Sequence, residues 1–329
     1  MLHHIWIIYL LTLGHFLTSA EIVDKPLTGK IICIDPGHGG TAATDSYRIG
    51  PTGEREEWIN LRVAMLVKEM LEKKGAKVVL TRSDDSNISL DERVNLAKEN
   101  KAHIFLSIHH NATADSTVNF PIVYFHGNAS ENQESVAFGK EVILQLRKAL
   151  FTKNTPVSLV SDHTIFPMAG ARVLRGTYGM PAILAEASFF THSPEEQRLK
   201  NREYNQREAI AFVKALENYF AKPATTVLPK NSRVEVVPFK VFQEAERMSP
   251  IAKLWREDME TGKKLLQKQD SASLQQAYEY FTRSVRSFPD SYVAEQCHRF
   301  RIEILEKTGK MSEAIQEKQR LAEFYVPVE

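Results

Sequence analysis

The chain has 329 residues, of which 43% are hydrophobic and 25% charged, with a formal net charge of +1. That length accommodates two domains, and the ordinary apolar fraction excludes a wholly disordered or fibrous chain. The near-zero charge balance supplies no overall field for gripping nucleic acid, which is not an expected partner.

Residues 1–20 read as an export signal. Ile5 to Phe16 is mostly apolar but too short to span a bilayer, and Leu17-Thr18-Ser19-Ala20 offers small residues for cleavage. His3 and His4 precede the apolar run without lysine or arginine, so an uncleaved anchor is the alternative. No later run is long and apolar enough for a membrane helix. The expected location is therefore periplasmic or extracellular. Cys33 and Cys297 fall in different expected domains, so no disulfide is expected between them.

From Glu21 to about Phe220 strand and helix patterns alternate, which predicts an α/β fold: a mainly parallel sheet with helices on both faces, in three layers. Ile31 to Ile34 is a short buried strand that runs into Asp35-Pro36-Gly37-His38-Gly39-Gly40. His38 then sits at a strand's carboxyl end, where crevices form in open α/β sheets. The glycine spacing is not that of a dinucleotide fingerprint. Glu56 to Lys74 carries Ile59, Val63, Leu66, Val67 and Met70 at helical spacing, and Gly75 ends it. Val78 to Thr81 is a strand, and Ser89 with Glu92 forms a capping box ahead of another helix. His103 to His109 and Ile122 to Phe125 are strands, Glu134 to Leu150 is a helix, and Phe151 to Ala171 is a long loop. Arg172 to Leu174 and Ala182 to Glu186 are short strands, and Ser193-Pro194-Glu195-Glu196 starts a helix.

Chemistry gathers at the strand ends. His38 follows the first strand, His109 closes the third, Glu186 closes Ala182-Ile183-Leu184-Ala185, and Glu56 opens the first helix. In a parallel sheet these positions share one edge, so they can converge on one crevice. Two histidines and one carboxylate suit a catalytic zinc site with a position left for water, and a second carboxylate is then free to move protons. Glu57 competes with Glu56, and His110 with His109. Adjacent strand residues point to opposite faces, so one of the two histidines should enter the site. His126 and His163 fall near the same edge in this reading, as loop or strand-end histidines rather than ligands.

Asp35-Pro36-Gly37-His38-Gly39-Gly40, Gly53-Glu54-Arg55-Glu56 with Asn60-Leu61, Ser107-Ile108-His109-His110-Asn111-Ala112 and Pro181-Ala182-Ile183-Leu184-Ala185-Glu186 together resemble the zinc-dependent N-acetylmuramoyl-L-alanine amidases of type 3. Leu80-Thr81-Arg82, Leu90-Asp91-Glu92-Arg93 and Val173-Leu174-Arg175 fit the same pattern, over about Lys30 to Phe220. The resemblance implies one zinc ion held by His38, Glu56 and His109, with Glu186 as the catalytic glutamate. It also implies peptidoglycan as substrate, cut between N-acetylmuramic acid and L-alanine. Ser188 and His192 depart from the pattern, which usually has glycine and asparagine there.

Ala221 to Pro238 contains three prolines and reads as a linker. Residues 239–329 are helical in pattern, with Leu274, Ala277, Tyr278 and Phe281 in one unit and Ala314 and Leu321 in another. They resemble tetratricopeptide repeats, which often hold peptides, so a protein partner is expected there; a helical cap on the enzyme is the alternative. The expected division is 1–20 export signal, 28–220 catalytic domain, 221–238 linker and 239–329 helical region. The functional alternatives are a zinc hydrolase of another amide or peptide bond, and a non-catalytic cell-wall scaffold.

Overall fold

The structure, a computed structural model, describes residues 25–40 and 46–328. The expected export signal lies outside the described residues. In chain order the elements are β1 (Ile31–Pro36), α1 (Glu56–Lys73), β2 (Lys77–Leu80), α2 (Leu90–Glu99), β3 (Ile104–Asn111), β4 (Ile122–Phe125), α3 (Gln133–Leu150) and β5 (Ser158–Ser161). There follow α4 (Arg172–Gly176), β6 (Ala182–Phe189), α5 (Ser193–Leu199), α6 (Arg202–Phe220) and α7 (Glu244–Arg247). The series ends with α8 (Trp255–Leu266), α9 (Ser271–Ser287), α10 (Ala294–Lys307), α11 (Met311–Phe324) and β7 (Tyr325–Val326).

The strands form one sheet of 7 in the order β2-β1-β3-β6-β4-β5-β7. Neighbours run parallel except at β4 with β6 and β5 with β7. The reversal at β4 has a simple cause. No helix separates it from β3, and a parallel crossover needs a connection of about a dozen residues or more, usually a helix. Because β4 and β5 are reversed relative to β6, His126 and His163 follow strands that end on the opposite edge from His38 and His109. The expectation that all four lie near one edge is corrected accordingly.

Two further corrections concern short elements. Arg172 to Leu174 is not a strand but the start of α4, closed by Arg175 N–H to Ala171 O at 2.8 Å, with Val173 and Leu174 turned into the core. The expected loop from Phe151 to Ala171 contains β5, where only Leu159 and Val160 lie between two serines, too short a run to show a period. The capping box at Ser89 and Glu92 is present at the start of α2.

Alternation along the strands sorts the core into two layers. Ile32, Ile34, Leu106, Ile108 and Ile183 face α1, α3 and α6. Cys33, Phe105, Tyr124 and Ala182 face the other way, where α2 and α4 are joined by the helices after residue 250. The helical region is thus most of the sheet's second covering. Trp255 is fully buried there, its ring 4.9 Å from Phe288, which in turn lies 6.0 Å from Phe120. Leu274, Ala277 and Phe281 are spent in this core, and both cysteines are free and buried within it. Burial also pushes the Cys297 thiol up to about 12.

Residues 221–238 are strapped to the sheet domain rather than loose. The Glu131 carboxylate accepts from the amides of Asn231 and Arg233 at 2.9 and 2.8 Å, and Tyr178 Oη donates to Leu228 O at 2.6 Å.

A buried clamp positions the loop after β1. Asp35 accepts from Thr81 Oγ1 at 2.6 Å, Ser107 Oγ at 2.7 Å and Arg93 Nη1 at 2.8 Å. Burial alone would raise its carboxyl, but the Arg93 charge and these bonds outweigh it and hold it below the ordinary range. Arg82 donates to the carbonyls of Pro36, Gly37 and Glu57, and Arg93 also to His38 O. The Leu80-Thr81-Arg82 and Leu90-to-Arg93 motifs therefore serve one loop.

Two stability predictions follow from buried charge. Arg93→Ala strands the Asp35 carboxylate and should cost about 3–5 kcal/mol, read from urea unfolding at neutral pH; a loss below about 1 kcal/mol would show the clamp to be dispensable. In the helical layer, buried Glu317 meets His298 Nδ1 at 2.7 Å, Arg301 Nη2 at 2.6 Å and Arg320 Nη1 at 2.9 Å. Burial opposes its charge, yet these partners depress its carboxyl far below the ordinary 4.5, and burial depresses His298 too. Both groups bind protons more readily when unfolded, so their contribution is full at neutral pH, begins to fall below about 6.5 for His298 and 4.5 for Glu317, and is lost as the pH passes down through their depressed folded values. Glu317→Gln should lower the melting temperature at pH 7 and flatten its decline towards acid.

Candidate metal centre

Three side chains from distant segments meet at the carboxyl edge of β1 and β3. His38 stands just beyond β1 at φ 59°, a left-handed conformation uncommon for a residue with a Cβ. The clamp described above supports that strain, since Arg93 holds the His38 carbonyl directly. Gly37 has a different task. A Cβ there would fall 2.1 Å from the His109 ring, so only glycine lets the imidazole pass.

Glu56, the first residue of α1, is buried and points back at both histidines. Its Oε1 lies 3.2 Å from His38 Nε2 and 2.9 Å from His109 Nδ1, and the two rings meet edge to face at 4.8 Å. The ligand atoms of all three lie within 4.8 Å of one another. Asn60, one helical turn on, donates to Glu56 Oε1 at 3.3 Å and fixes the carboxylate. Burial raises the Glu56 carboxyl, but the charge of His38 and the bonds from both imidazoles outweigh it and hold it well below the ordinary range. Burial pushes His109 down to about 4, so its ring is neutral. One carboxylate and two imidazoles form a group that could hold a metal ion.

The competing residues turn elsewhere. Glu57 is bound by Arg55 Nε at 2.9 Å, and His110 faces Asn60 Oδ1 at 2.9 Å and Glu208 Oε2 at 3.2 Å on the other side of β3. Glu186 is the register partner of His109 on β6, and its Oε2 is buried with no hydrogen bond. Burial first, then repulsion from Glu56, raises its carboxyl well above the ordinary value. His192 caps α5 from outside, its Nδ1 2.9 Å from Ser116 O, and Ser188 is buried behind the site.

His126, Asp162 and His163 form a second cluster. There Asp162 Oδ2 already accepts from His126 Nδ1 at 2.8 Å and from Ala171 N–H at 2.7 Å. The Gly170 backbone fills the space beside them, where a Cβ would fall 2.5 Å from His126 Nδ1.

A cleft of about 310 Å³ opens over His38, His109 and Glu186 and continues along the sheet face past Tyr124. Its far wall comes from the helical region through Phe242, Glu244, Arg247, Phe288 and Asp290. Tyr124 Oη donates to Asp290, tying that wall to β4. Arg48 bridges the two sides, 3.5 Å from Glu56 Oε2 and 3.4 Å from Glu244 Oε1. Sequence reasoning missed Arg48, Tyr124, Arg247 and Asp290, because neither spacing nor motif links residues so far apart in the chain. A larger depression, about 640 Å³, lies around Met65 and Lys200 and contains none of these groups.

Comparison with known proteins agrees with this arrangement. A family profile described as N-acetylmuramoyl-L-alanine amidase matches residues 32–218. The chain is 34% identical over 211 residues to the uncharacterized protein YqiI of Bacillus subtilis, covering 64% of this chain and 92% of that one. It is 32% identical over 202 residues to the N-acetylmuramoyl-L-alanine amidase LytC of the same organism, covering 61% of this chain but 38% of LytC. Among solved structures, the N-acetylmuramoyl-L-alanine amidase of Clostridium difficile 630 superposes with a TM-score of 0.51 at 28% identity, covering 59% of this chain and 98% of that one. The matched span runs from within β1 to within α6 and includes His38, Glu56 and His109, and on it the chain belongs to the N-acetylmuramoyl-L-alanine amidase family.

Proposed function

We propose that the protein is a zinc-dependent amidase that hydrolyses the bond between N-acetylmuramic acid and L-alanine in peptidoglycan, outside the cytoplasm. The observation that carries this reading is the convergence of His38, Glu56 and His109 beside an unpartnered Glu186, inside the span matched by the family. In it His38, Glu56 and His109 hold one zinc ion, and residues 28–220 form the catalytic domain, with the helical region as its added layer.

Zinc bound there would supply Lewis acidity to the scissile carbonyl and to a water, and its charge would favour the ionised form of Glu186 that burial and then Glu56 disfavour. Glu186 takes the proton of the attacking water and returns it to the departing amine of L-alanine. Its neighbour Glu56 stays ionised through the two imidazoles and Asn60, so the two carboxylates are separated in role by environment. The enclosing cleft keeps bulk water from the reacting amide.

Removal of each part has a distinct readout. Glu186→Gln should retain zinc but lose about 10²- to 10⁴-fold in turnover of purified sacculi. His109→Ala should lose zinc and activity together, as measured by metal analysis alongside turnover, and chelation of the wild type should silence it reversibly. Mass spectrometry of the digest should show stem peptides beginning with L-alanine. Cleavage at another bond would favour the wider class of zinc peptidases, and full activity in Glu186→Gln would sink the assigned role.

A further inference from the structure

The wall of the cleft that faces the ligand cluster comes from residues beyond the span matched by the family. That wall brings one arginine, Arg247 on α7, half-buried in the same cleft as His38, His109 and Glu186. The cleft's other arginine, Arg48, is engaged with Glu56 and Glu244. No described residue makes a hydrogen bond or ion pair with the Arg247 guanidinium. Its charge acts on Asp290 and Glu186 without a direct hydrogen bond to either, and Asp290 is also bound by Tyr124. The same lining carries Phe166, Phe242 and Phe288 together with the acids Asp162, Glu186, Glu244 and Asp290.

We infer that Arg247 forms an anion subsite of the catalytic cleft, taking a substrate carboxylate on the peptide side of the scissile amide. The inference rests on the amidase reading and names its substrate class more narrowly. In a muramyl peptide the lactyl carboxyl is consumed in the amide that is cut, so free carboxylates lie on the peptide. The first acidic residue after L-alanine offers one within a residue of the reacting carbon. A guanidinium matches a carboxylate in two parallel hydrogen bonds, where an ammonium offers only a point charge. Substrates in which that carboxyl is free should therefore be preferred over those in which it is a carboxamide.

The test uses the zinc-loaded full chain and two synthetic muramyl tripeptides with blocked carboxyl termini, differing only in D-isoglutamate or D-isoglutamine after L-alanine. Wild type should prefer the free acid by about 10- to 100-fold in kcat/KM, mainly through KM, as expected for a charge-assisted bidentate contact. Arg247→Ala should bring that ratio near one, and Arg247→Lys should recover part of it, with zinc content and melting temperature unchanged in both. Equal cleavage of the two substrates by wild type, an unchanged ratio in Arg247→Ala, or faster turnover of both by that variant would overturn the subsite. The last outcome would mark Arg247 as an obstruction. Failure of wild type to cleave either compound would instead refute the amidase reading beneath it.

Discussion

The interaction on which the rest of the site depends involves no candidate ligand. Asp35, fully inside the protein, is held ionised by Arg93, Thr81 and Ser107, and the same arginine grips the carbonyls of Pro36 and His38. A buried charge of this kind is tolerable only when every partner is in place. That demand fixes the path of the loop after β1 and maintains the left-handed backbone at His38. The imidazole is delivered by a network whose members come from β1, β3, the end of β2 and α2. The site is thus as rigid as the packing of four elements.

Glu56 shows how the same logic extends to the candidate ligands. A carboxylate placed at the first turn of a helix is favoured by the helix dipole wherever it occurs. Here it also receives Asn60 from its own helix and two imidazoles from neighbouring segments, so its charge is required by its surroundings before any ion arrives. Glu186 is the opposite case: its Oε2 is buried and has no hydrogen bond. The contrast sets two carboxylates of one site in opposite protonation tendencies.

Much of this was legible in the sequence, for physical reasons. The isoleucine-rich run of β1 ending in proline and glycine, the capping box of α2 and the period of α1 are local signals, and they recur in the structure where they were expected. His38, Glu56 and His109 could be named because each sits at the end of a strand or the start of a helix with a recognisable pattern. What could not be read was tertiary. The reversal of β4 and β5 depends on how a short connection folds back, and β5 has too few apolar residues to announce itself. The helical region resembled tetratricopeptide repeats with a cap on the enzyme as the alternative, and the faces read as repeat contacts include residues buried beneath the sheet. Arg247 and Asp290 reach the cleft only as a result of that docking.

The antiparallel pairing of β7 with β5 matters for the order in which the sheet can be completed. Val160 meets Tyr325, so at about 5–20 residues per second its partner leaves the ribosome on the order of ten to thirty seconds later. During that interval one flank of the sheet has open backbone donors and acceptors, and the apolar side chains destined to lie under α8 to α11 are uncovered. A nascent chain in this condition exposes apolar surface and a strand edge of the kind that aggregates. Its solubility during synthesis is then governed by how quickly the final helices arrive, more than by the stability of the finished fold.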